Sequence, residues 1–296
     1  MNERIKFCVV VNTNALKNQK LLDQIINLLK NNHDIEFIES KSIIEAKEIY
    51  KKLSLKKFDR LIITGGDGSF NFAINEVIKY PSLLNKEMGY IPLGTANILQ
   101  IEANIKKKAK LIYETLTSKK IKKIYLSKAN NDYFFLMAGV GFDSKIVESI
   151  DTNIKKYLGK IIFVYKGLVH FLFLKNEKME IEIDNEKLLA DWVLCTNAKY
   201  YAGPYSITNE TNIFKPKVVI YIFKNLTRIK LLYYCWLIFT KGDLSSARSV
   251  VTKDLSHLKI NKVNHQLLSQ VDGENFGYSE NIKIQTTDKY INLLVP

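Results

Sequence analysis

The run Leu61-Ile62-Ile63-Thr64-Gly65-Gly66-Asp67-Gly68-Ser69-Phe70-Asn71 limits what this chain can fold into more than any other stretch. An apolar, strand-like entry leads into a turn with three glycines in four positions, and a helix-like segment follows directly. Glycines let the backbone approach a bulky anion, and N–H groups at a helix start attract phosphate. Asp67 is the only side chain among the glycines. It is anomalous in a simple phosphate cradle, because a carboxylate repels phosphate unless a cation stands between them. Mg²⁺ meets that need, since it keeps several waters and bridges carboxylates to nucleotide phosphates. The turn therefore reads as a Mg-nucleotide site, with Asp67 as the metal-binding residue; an ordinary strand-to-helix turn is the plain alternative.

At 296 residues the chain is long enough for a sizeable core and for two domains. Net charge is +14, from 44 Lys+Arg against 30 Asp+Glu, a balance that favours nucleic acid, anionic lipid or phosphates. Lys, Asn and Ile are abundant throughout, so compositional bias accounts for most of the excess, with room for a membrane-facing contribution. The basic residues fall in short clusters such as Lys106-Lys107-Lys108. Without zinc-finger spacing, an RNA-binding aromatic signature or a long basic tract, no nucleic-acid partner is expected. Cys8, Cys195 and Cys235 are far apart in apolar surroundings and are expected as reduced, buried thiols. Met1 to Lys6 runs straight into a strand pattern rather than a signal peptide, so the expected location is cytoplasmic, with peripheral attachment at the inner face of the membrane left open. Tyr157 to Leu174 is apolar but carries Lys160, Lys166 and His170, and Leu231 to Thr240 is too short to span a bilayer. Both are expected as helices buried in the fold or lining an apolar groove. The four histidines, His33, His170, His257 and His265, show no ligand spacing.

The first part of the chain alternates strands and helices. Ile5 to Val11, Ile35 to Glu39, Leu61 to Thr64 and Tyr90 to Leu93 read as strands. Gln19 to Lys30, Ile43 to Leu53 and Asn71 to Tyr80 read as helices, the last stopped by Pro81. That order implies a parallel sheet covered by helices, with ligands at the carboxyl ends of the strands. From about Ile121 strand-like runs dominate: Ile121 to Lys128, Tyr133 to Gly139, Met179 to Asp184, Leu188 to Thr196, Val218 to Phe223 and Gln266 to Asp272. Helical segments, Lys145 to Tyr157 and Leu226 to Phe239, interrupt them. This pattern predicts a second, mainly antiparallel β domain.

Four motifs stand apart in the sequence: Gly65-Gly66-Asp67-Gly68-Ser69, Pro92-Leu93-Gly94-Thr95-Ala96-Asn97, Ala138-Gly139-Val140-Gly141-Phe142-Asp143 and Val271-Asp272-Gly273-Glu274. In this order and at these separations they resemble the diacylglycerol kinase catalytic-domain family of lipid kinases, which includes bacterial diacylglycerol kinases and the sphingosine and ceramide kinases. The resemblance implies a Rossmann-like nucleotide-binding α/β domain over residues 1–121, rejoined by 286–296, and an antiparallel β-sandwich over 122–285. It further implies ATP and Mg²⁺ as cofactors, a lipid substrate at a membrane surface, and a role in phospholipid biosynthesis; a homodimer is left open. By position, the nucleotide contacts map to Asn12, Ser40, Gly65, Gly66, Asp67, Gly68, Ser69, Asn71, Thr95 and Asn97.

The chain departs from that family in three places. The first-strand loop reads Asn12-Thr13-Asn14-Ala15-Leu16 instead of Asn-Pro-x-Ser-Gly, and Phe72 stands where glutamate is usual. Two acidic partners of a structural metal are missing together, at Glu210 to Pro216 and at Ile124 to Ser127, so that metal site is expected to be absent or rebuilt.

Phosphoryl transfer to a lipid hydroxyl needs positioning, charge neutralisation and a proton acceptor. Asp272 and Glu274 lie two apart, which on an extended strand turns both to one side. Glu274 is the expected proton acceptor, with Asp272 as alternative or orienting partner; a solvated Asp-Gly hairpin turn is the plain reading. Thr95 and Asn97 suit phosphate or acceptor contacts and equally suit helix capping. Asp143 reads as a surface turn residue, and Gly139 and Gly141 as backbone-packing positions. The aromatic stretches Tyr157 to Phe173 and Tyr233 to Phe239 fit an acyl-chain groove or the core. The rival functions are a kinase of a soluble substrate, since GGDG also occurs in NAD kinases, and a regulator that binds nucleotide or lipid without catalysis.

Overall fold

A computed structural model describes residues 4–13, 18–150, 160–175, 177–240 and 242–296. The chain divides into two units, Met1–Ile124 with Tyr290–Pro296, and Tyr125–Lys289.

The first unit is built on β1 (Lys6–Asn12), whose continuous apolar run Phe7 to Val11 is buried, as a central strand of a parallel sheet requires. Helix α1 (Gln19–Asn32) buries Leu21, Leu22, Ile25, Ile26 and Leu29 and is capped by the Asn18 side chain. β2 (Asp34–Ser40) leads to α2 (Ile43–Leu53), whose start is fixed by the Ser42 hydroxyl accepting the Glu45 N–H. β3 (Arg60–Gly65), α3 (Asp67–Val77), α4 (Pro81–Leu84), β4 (Glu87–Pro92), α5 (Ile98–Glu102) and α6 (Ala109–Thr117) follow. The strand order is β2-β1-β3-β4, all parallel, and Asn292 and Leu293 pair in parallel with Glu87 and Met88. The expected start of α3 at Asn71 is four residues late. Gly66 takes an extended conformation and its carbonyl accepts the Phe70 N–H at 3.2 Å, so the helix absorbs the second half of the glycine motif.

The second unit is an antiparallel sandwich. One sheet contains β5 (Ile121–Ala129), β6 (Asp132–Phe134), β8 (Met179–Ile183), β9 (Glu186–Ala190), β15 (His257–Lys262) and β18 (Asn281–Leu294). β5 and β18 begin and end, respectively, in residues of the first unit. The other sheet has the order β14-β13-β10-β7-β16-β17, with β7 (Met137–Val140), β10 (Trp192–Thr196), β13 (Val219–Phe223), β14 (Val250–Asp254), β16 (Leu267–Val271) and β17 (Glu274–Ser279). Ile181, Leu258, Ile260 and Ile284 of the first sheet share one buried cluster with Val140, Val193, Ile220 and Val271 of the second. A short hairpin, β11 (Tyr200–Tyr201) with β12 (Tyr205–Ser206), and the helices α7 (Phe142–Glu148), α8 (Lys160–Leu172) and α9 (Arg228–Thr240) complete it.

Two runs expected as single strands are each divided. Tyr133 to Gly139 becomes β6, paired with β5, and β7, paired with β10 and β16. Leu188 to Thr196 becomes β9, paired with β8, and β10, paired with β7 and β13. In both, the chain crosses from one sheet to the other while continuing to supply the same core. An unbroken apolar run cannot reveal that crossing. Helix α7 starts at Phe142 rather than Lys145 and ends at Glu148; residues 151–157 of the expected helix lie outside the described residues. Among the described residues no helix is long and apolar enough to cross a membrane.

Candidate functional site

Parallel register brings most of the expected nucleotide contacts to one edge of the first unit's sheet. Asn12 lies beside Ser40, and Gly65 beside Pro92, at the carboxyl ends of their strands. The Ser40 hydroxyl donates to the Ser42 carbonyl at 2.9 Å, and Thr13 Oγ1 donates to the Ser40 carbonyl at 3.2 Å. Asn14, Ala15 and Leu16 of the first loop lie outside the described residues.

The two glycine-bearing turns at this edge interlock. The Gly65 carbonyl accepts the N–H groups of Leu93 (2.8 Å) and Gly94 (3.0 Å) and the Tyr90 hydroxyl (3.1 Å). A Cβ on Gly94 would lie 2.3 Å from Gly66 Cα, so only glycine permits this approach. Gly94→Ala is therefore expected to force the turns apart and cost ~1–3 kcal/mol of stability, read as a lower melting temperature. Tyr90 also donates to Asn97 Oδ1 at 3.1 Å, and Asn97 Nδ2 donates to the Gly94 carbonyl at 2.9 Å. Burial, reinforced by the Asp67 carboxylate, pushes the Tyr90 phenol well above its ordinary pKa and keeps it a neutral donor.

Asn97 is the residue before α5, but it sits in the left-handed region and caps nothing with its side chain. Asp67 does that work from the other turn: Oδ2 accepts the Ile98 N–H at 2.8 Å and Oδ1 the Leu99 N–H at 3.0 Å. The buried Asp67 carboxylate is thus aimed at the start of α5. Helix α3 itself, on which Gly68, Ser69 and Asn71 lie, starts at this sheet edge with no side-chain hydrogen bond from its cap residue Gly66. Thr95 is half-buried in the β4–α5 turn, and Asn71 accepts the Asn75 amide through its carbonyl and its Oδ1. Phe72 packs edge-on against the Tyr50 ring at 6.1 Å, joining α3 to α2.

In the second unit, Asp272 and Gly273 have φ of +49° and +79° and join β16 to β17, with Val271 opposite Glu274. This is a two-residue hairpin of the I′ kind. The expectation that Asp272 and Glu274 share one face of an extended strand is therefore corrected, since Asp272 sits in the turn. The turn is not solvated either. Asp272 is buried, and its carboxylate accepts three N–H groups, from Leu136 and Met137 at 2.9 Å and from Phe135 at 3.1 Å. Those groups lie where the chain crosses from β6 to β7. Glu274, the next acid, is exposed.

Asp143, expected at the surface, is buried. Trp192 Nε1 donates to its Oδ1 and Gln270 Nε2 to its Oδ2, both at 2.9 Å, with Ser144 Oγ at 3.4 Å. Burial raises its pKa to about 6 against the lowering effect of these donors. Gly139 is glycine because a Cβ there would lie 2.1 Å from Asp143 Oδ2; a Cβ on Gly141, at φ +107°, would lie 2.6 Å from the Asp191 carbonyl. Gln270 links this motif to the next, because its Oε1 accepts the Gly273 N–H at 2.9 Å. A carboxylate only accepts, so Asp143 holds the Gln270 amide in this orientation. Sequence reasoning missed Gln270 and Trp192; the one signal was a glutamine within an otherwise buried strand.

A cleft of about 620 Å³ between α7, α8 and β16 is lined by Phe142, Val169, Phe173 and Leu268, with Lys145 and His170 among them. His170 is held below its ordinary pKa by burial and by Lys145 and Lys166. Residues 157–159 of the first aromatic stretch lie outside the described residues. In the second stretch only Tyr234 and Leu237 are buried, while Tyr233, Trp236 and Phe239 are exposed and so outside the core. Cys8 and Cys195 are buried as expected, with burial pushing the Cys8 thiol up to about 12, but Cys235 is exposed. Glu210 pairs with Lys217 at 2.8 Å and Ser127 Oγ donates to Asn197 Oδ1 at 3.2 Å.

Residues 6–129 match the family model described as the diacylglycerol kinase catalytic domain. A protein of Shewanella frigidimarina (strain NCIMB 400) named "Probable lipid kinase YegS-like" is 26% identical over 199 residues, covering 66% of this chain and 64% of its own. The diacylglycerol kinase of Bacillus subtilis (strain 168) is 27% identical over 143 residues, covering 48% and 46%. The chain thus spans from about half to just under two thirds of the length of the curated relatives it matches. The crystal structure of a diacylglycerol kinase from Bacillus anthracis str. Sterne superimposes with a TM-score of 0.75 at 16% identity, covering 100% of this chain and 98% of that one, and shares its fold.

Proposed function

Because the chain belongs, through residues 6–129, to the diacylglycerol kinase catalytic-domain family, we propose that it transfers the γ-phosphate of ATP to the hydroxyl of a lipid such as diacylglycerol. The nucleotide binds at the carboxyl edge of the first unit. The N–H groups at the start of α3, those of Gly68 and Ser69, take phosphate, and Asn12, Ser40, Asn71, Thr95 and Asn97 supply polar groups around them. Asp67 coexists with phosphate because its charge is turned onto the N–H groups of Ile98 and Leu99. Asp67 would hold the ion of MgATP through water or directly. That ion supplies charge neutralisation on the phosphates when bound.

The observation that carries the catalytic half is a division of labour among the acids of the four motifs. Asp67, Asp143 and Asp272 are buried and brace the backbone or a side-chain network, whereas Glu274 is exposed. Glu274 takes the proton of the lipid hydroxyl as its oxygen attacks the γ-phosphorus and ADP leaves; Asp272 positions the turn that presents it.

The test is transfer of labelled γ-phosphate from MgATP to a panel of lipid alcohols in mixed micelles. One lipid class is expected to be phosphorylated, with Glu274→Gln lowering kcat by roughly 10²–10⁴-fold. Asp67→Asn is expected to act differently, placing an amide donor against an N–H of α5 and costing ~1–3 kcal/mol of stability. Nucleotide binding without any lipid product would sink this reading.

A further inference from the structure

Helix α9 lies outside both motif clusters and carries an unusual surface. Its sequence, Arg-Ile-Lys-Leu-Leu-Tyr-Tyr-Cys-Trp-Leu-Ile-Phe-Thr, is apolar around nearly the whole circumference, yet only Leu231, Tyr234 and Leu237 are buried. Ile229 is 80% exposed, Trp236 54% and Phe239 68%, with Leu232 and Tyr233 exposed between them. Spacings of three and four place these side chains along one face. The face is ordered by its own contacts: Tyr233 stacks on Trp236 at 6.0 Å, and Phe239 meets Tyr205 edge-on at 5.1 Å. Proteins that stay monomeric in water rarely leave a contiguous apolar patch uncovered unless it binds something. At 13 residues the helix is too short to cross a bilayer, so it suits lying on one.

Charge decides what covers this face. From Lys224 to Gly242 the sequence contains Lys224, Arg228, Lys230 and Lys241, and no Asp or Glu. Arg228 donates to the carbonyls of Phe171 (3.2 Å) and Leu172 (2.6 Å), and Lys230 to those of Lys224 and Asn225 (2.9 Å each). Both cations are thereby held at the N-terminal end of α9, against its macrodipole, where helix stability alone would not put them. Aromatic and aliphatic side chains bordered by cations match the interface of an anionic bilayer, with its aromatic belt and negative headgroups. A two-fold copy of this chain would instead bring the same cations toward one another.

We propose that the exposed face of α9 docks the second unit onto an anionic lipid surface. The inference deepens the lipid-kinase reading and rests on it, so its test uses no turnover. The full chain is mixed with phosphatidylcholine vesicles, with or without phosphatidylglycerol and lacking any lipid alcohol or nucleotide. Co-sedimentation and tryptophan emission are then read. Trp192 is buried and Trp236 exposed, so a blue shift reports on α9. Binding and a blue shift are expected with phosphatidylglycerol vesicles and not with phosphatidylcholine alone. Phe239→Glu, at an exposed site that leaves the fold and the fluorophore intact, is expected to weaken binding by ~10-fold or more. Unchanged binding by that variant, or no binding by the wild type, overturns the proposal. So does a lipid-free dimer that Phe239→Glu disperses, which would assign the face to a second copy. Phosphate transfer in detergent micelles separates the two ideas. Transfer without vesicle binding overturns docking alone, and vesicle binding without transfer overturns the kinase alone.

Discussion

Asp272→Ala is expected to be the most destabilising single change in the four motifs. It removes the acceptor of three buried N–H groups at once, those of Phe135, Leu136 and Met137. Each orphaned donor costs ~1–3 kcal/mol, and alanine in the left-handed region adds ~1–2 kcal/mol. The sum, roughly 4–11 kcal/mol, approaches the whole stability of an ordinary domain, ~5–15 kcal/mol. Asp272→Asn is the informative companion. Asparagine tolerates a positive φ and keeps the two bonds that Oδ1 accepts, so only the Phe135 N–H faces a donor, at ~1–3 kcal/mol. Urea unfolding should rank wild type above Asn above Ala. An alanine variant within ~1 kcal/mol of wild type would show that this carboxylate braces nothing. Glu274→Gln, two residues on, should behave oppositely, unfolding within ~0.5 kcal/mol of wild type while losing turnover. Adjacent acids would then be separated cleanly, one holding the turn and the other doing chemistry from it.

That separation shows how far the sequence could be read and where it stopped. The parallel α/β order was legible because β1 and β3 are unbroken apolar runs, and α2 was read with the bounds it has, Ile43 and Leu53. The motif glycines were legible because they do what glycine alone can do: Gly94 against Gly66, Gly139 against Asp143. What stayed hidden was the direction in which each acid points. For Asp67, local sequence shows its neighbours in the turn, while the N–H groups it accepts lie 31 and 32 residues away. Asp143 looked solvent-facing because Trp192 and Gln270 are 49 and 127 residues distant. The crossings between sheets were hidden for the same reason, since Asp272 grips the β6–β7 crossing from far along the chain. β15 was missed although its buried Leu258 and Ile260 alternate with polar residues as in a half-buried strand, because two apolar positions make a short signal.

Asp143 yields the second large effect, through pH. Its carboxyl titrates near pH 3.8 when unperturbed and at about 6 in the fold, because burial disfavours the charge more than its donors favour it. A folded pKa raised above the unfolded one means that the native state binds this proton more tightly. The resulting stabilisation is complete below about pH 4 and is lost as pH rises through about 6. A difference of about two pKa units corresponds to ~3 kcal/mol. Asparagine carries no charge at either end of that range, so the stability of wild type relative to Asp143→Asn should fall by ~3 kcal/mol between about pH 4 and pH 7. A flat difference in urea unfolding would mean that Asp143 titrates normally. An acid is useful in the interior despite this cost because it is acceptor-only. Trp192 and Gln270 both point donors at it, and the Gln270 amide is left with its oxygen toward Gly273. Asparagine presents a donor of its own, which turns the Gln270 amide over and leaves the Gly273 N–H without an acceptor. Asp143→Asn should therefore lower kcat at neutral pH even where the variant is as stable as wild type, with the KM for ATP unchanged. Equal turnover would break the link from Asp143 through Gln270 to the turn that carries Glu274.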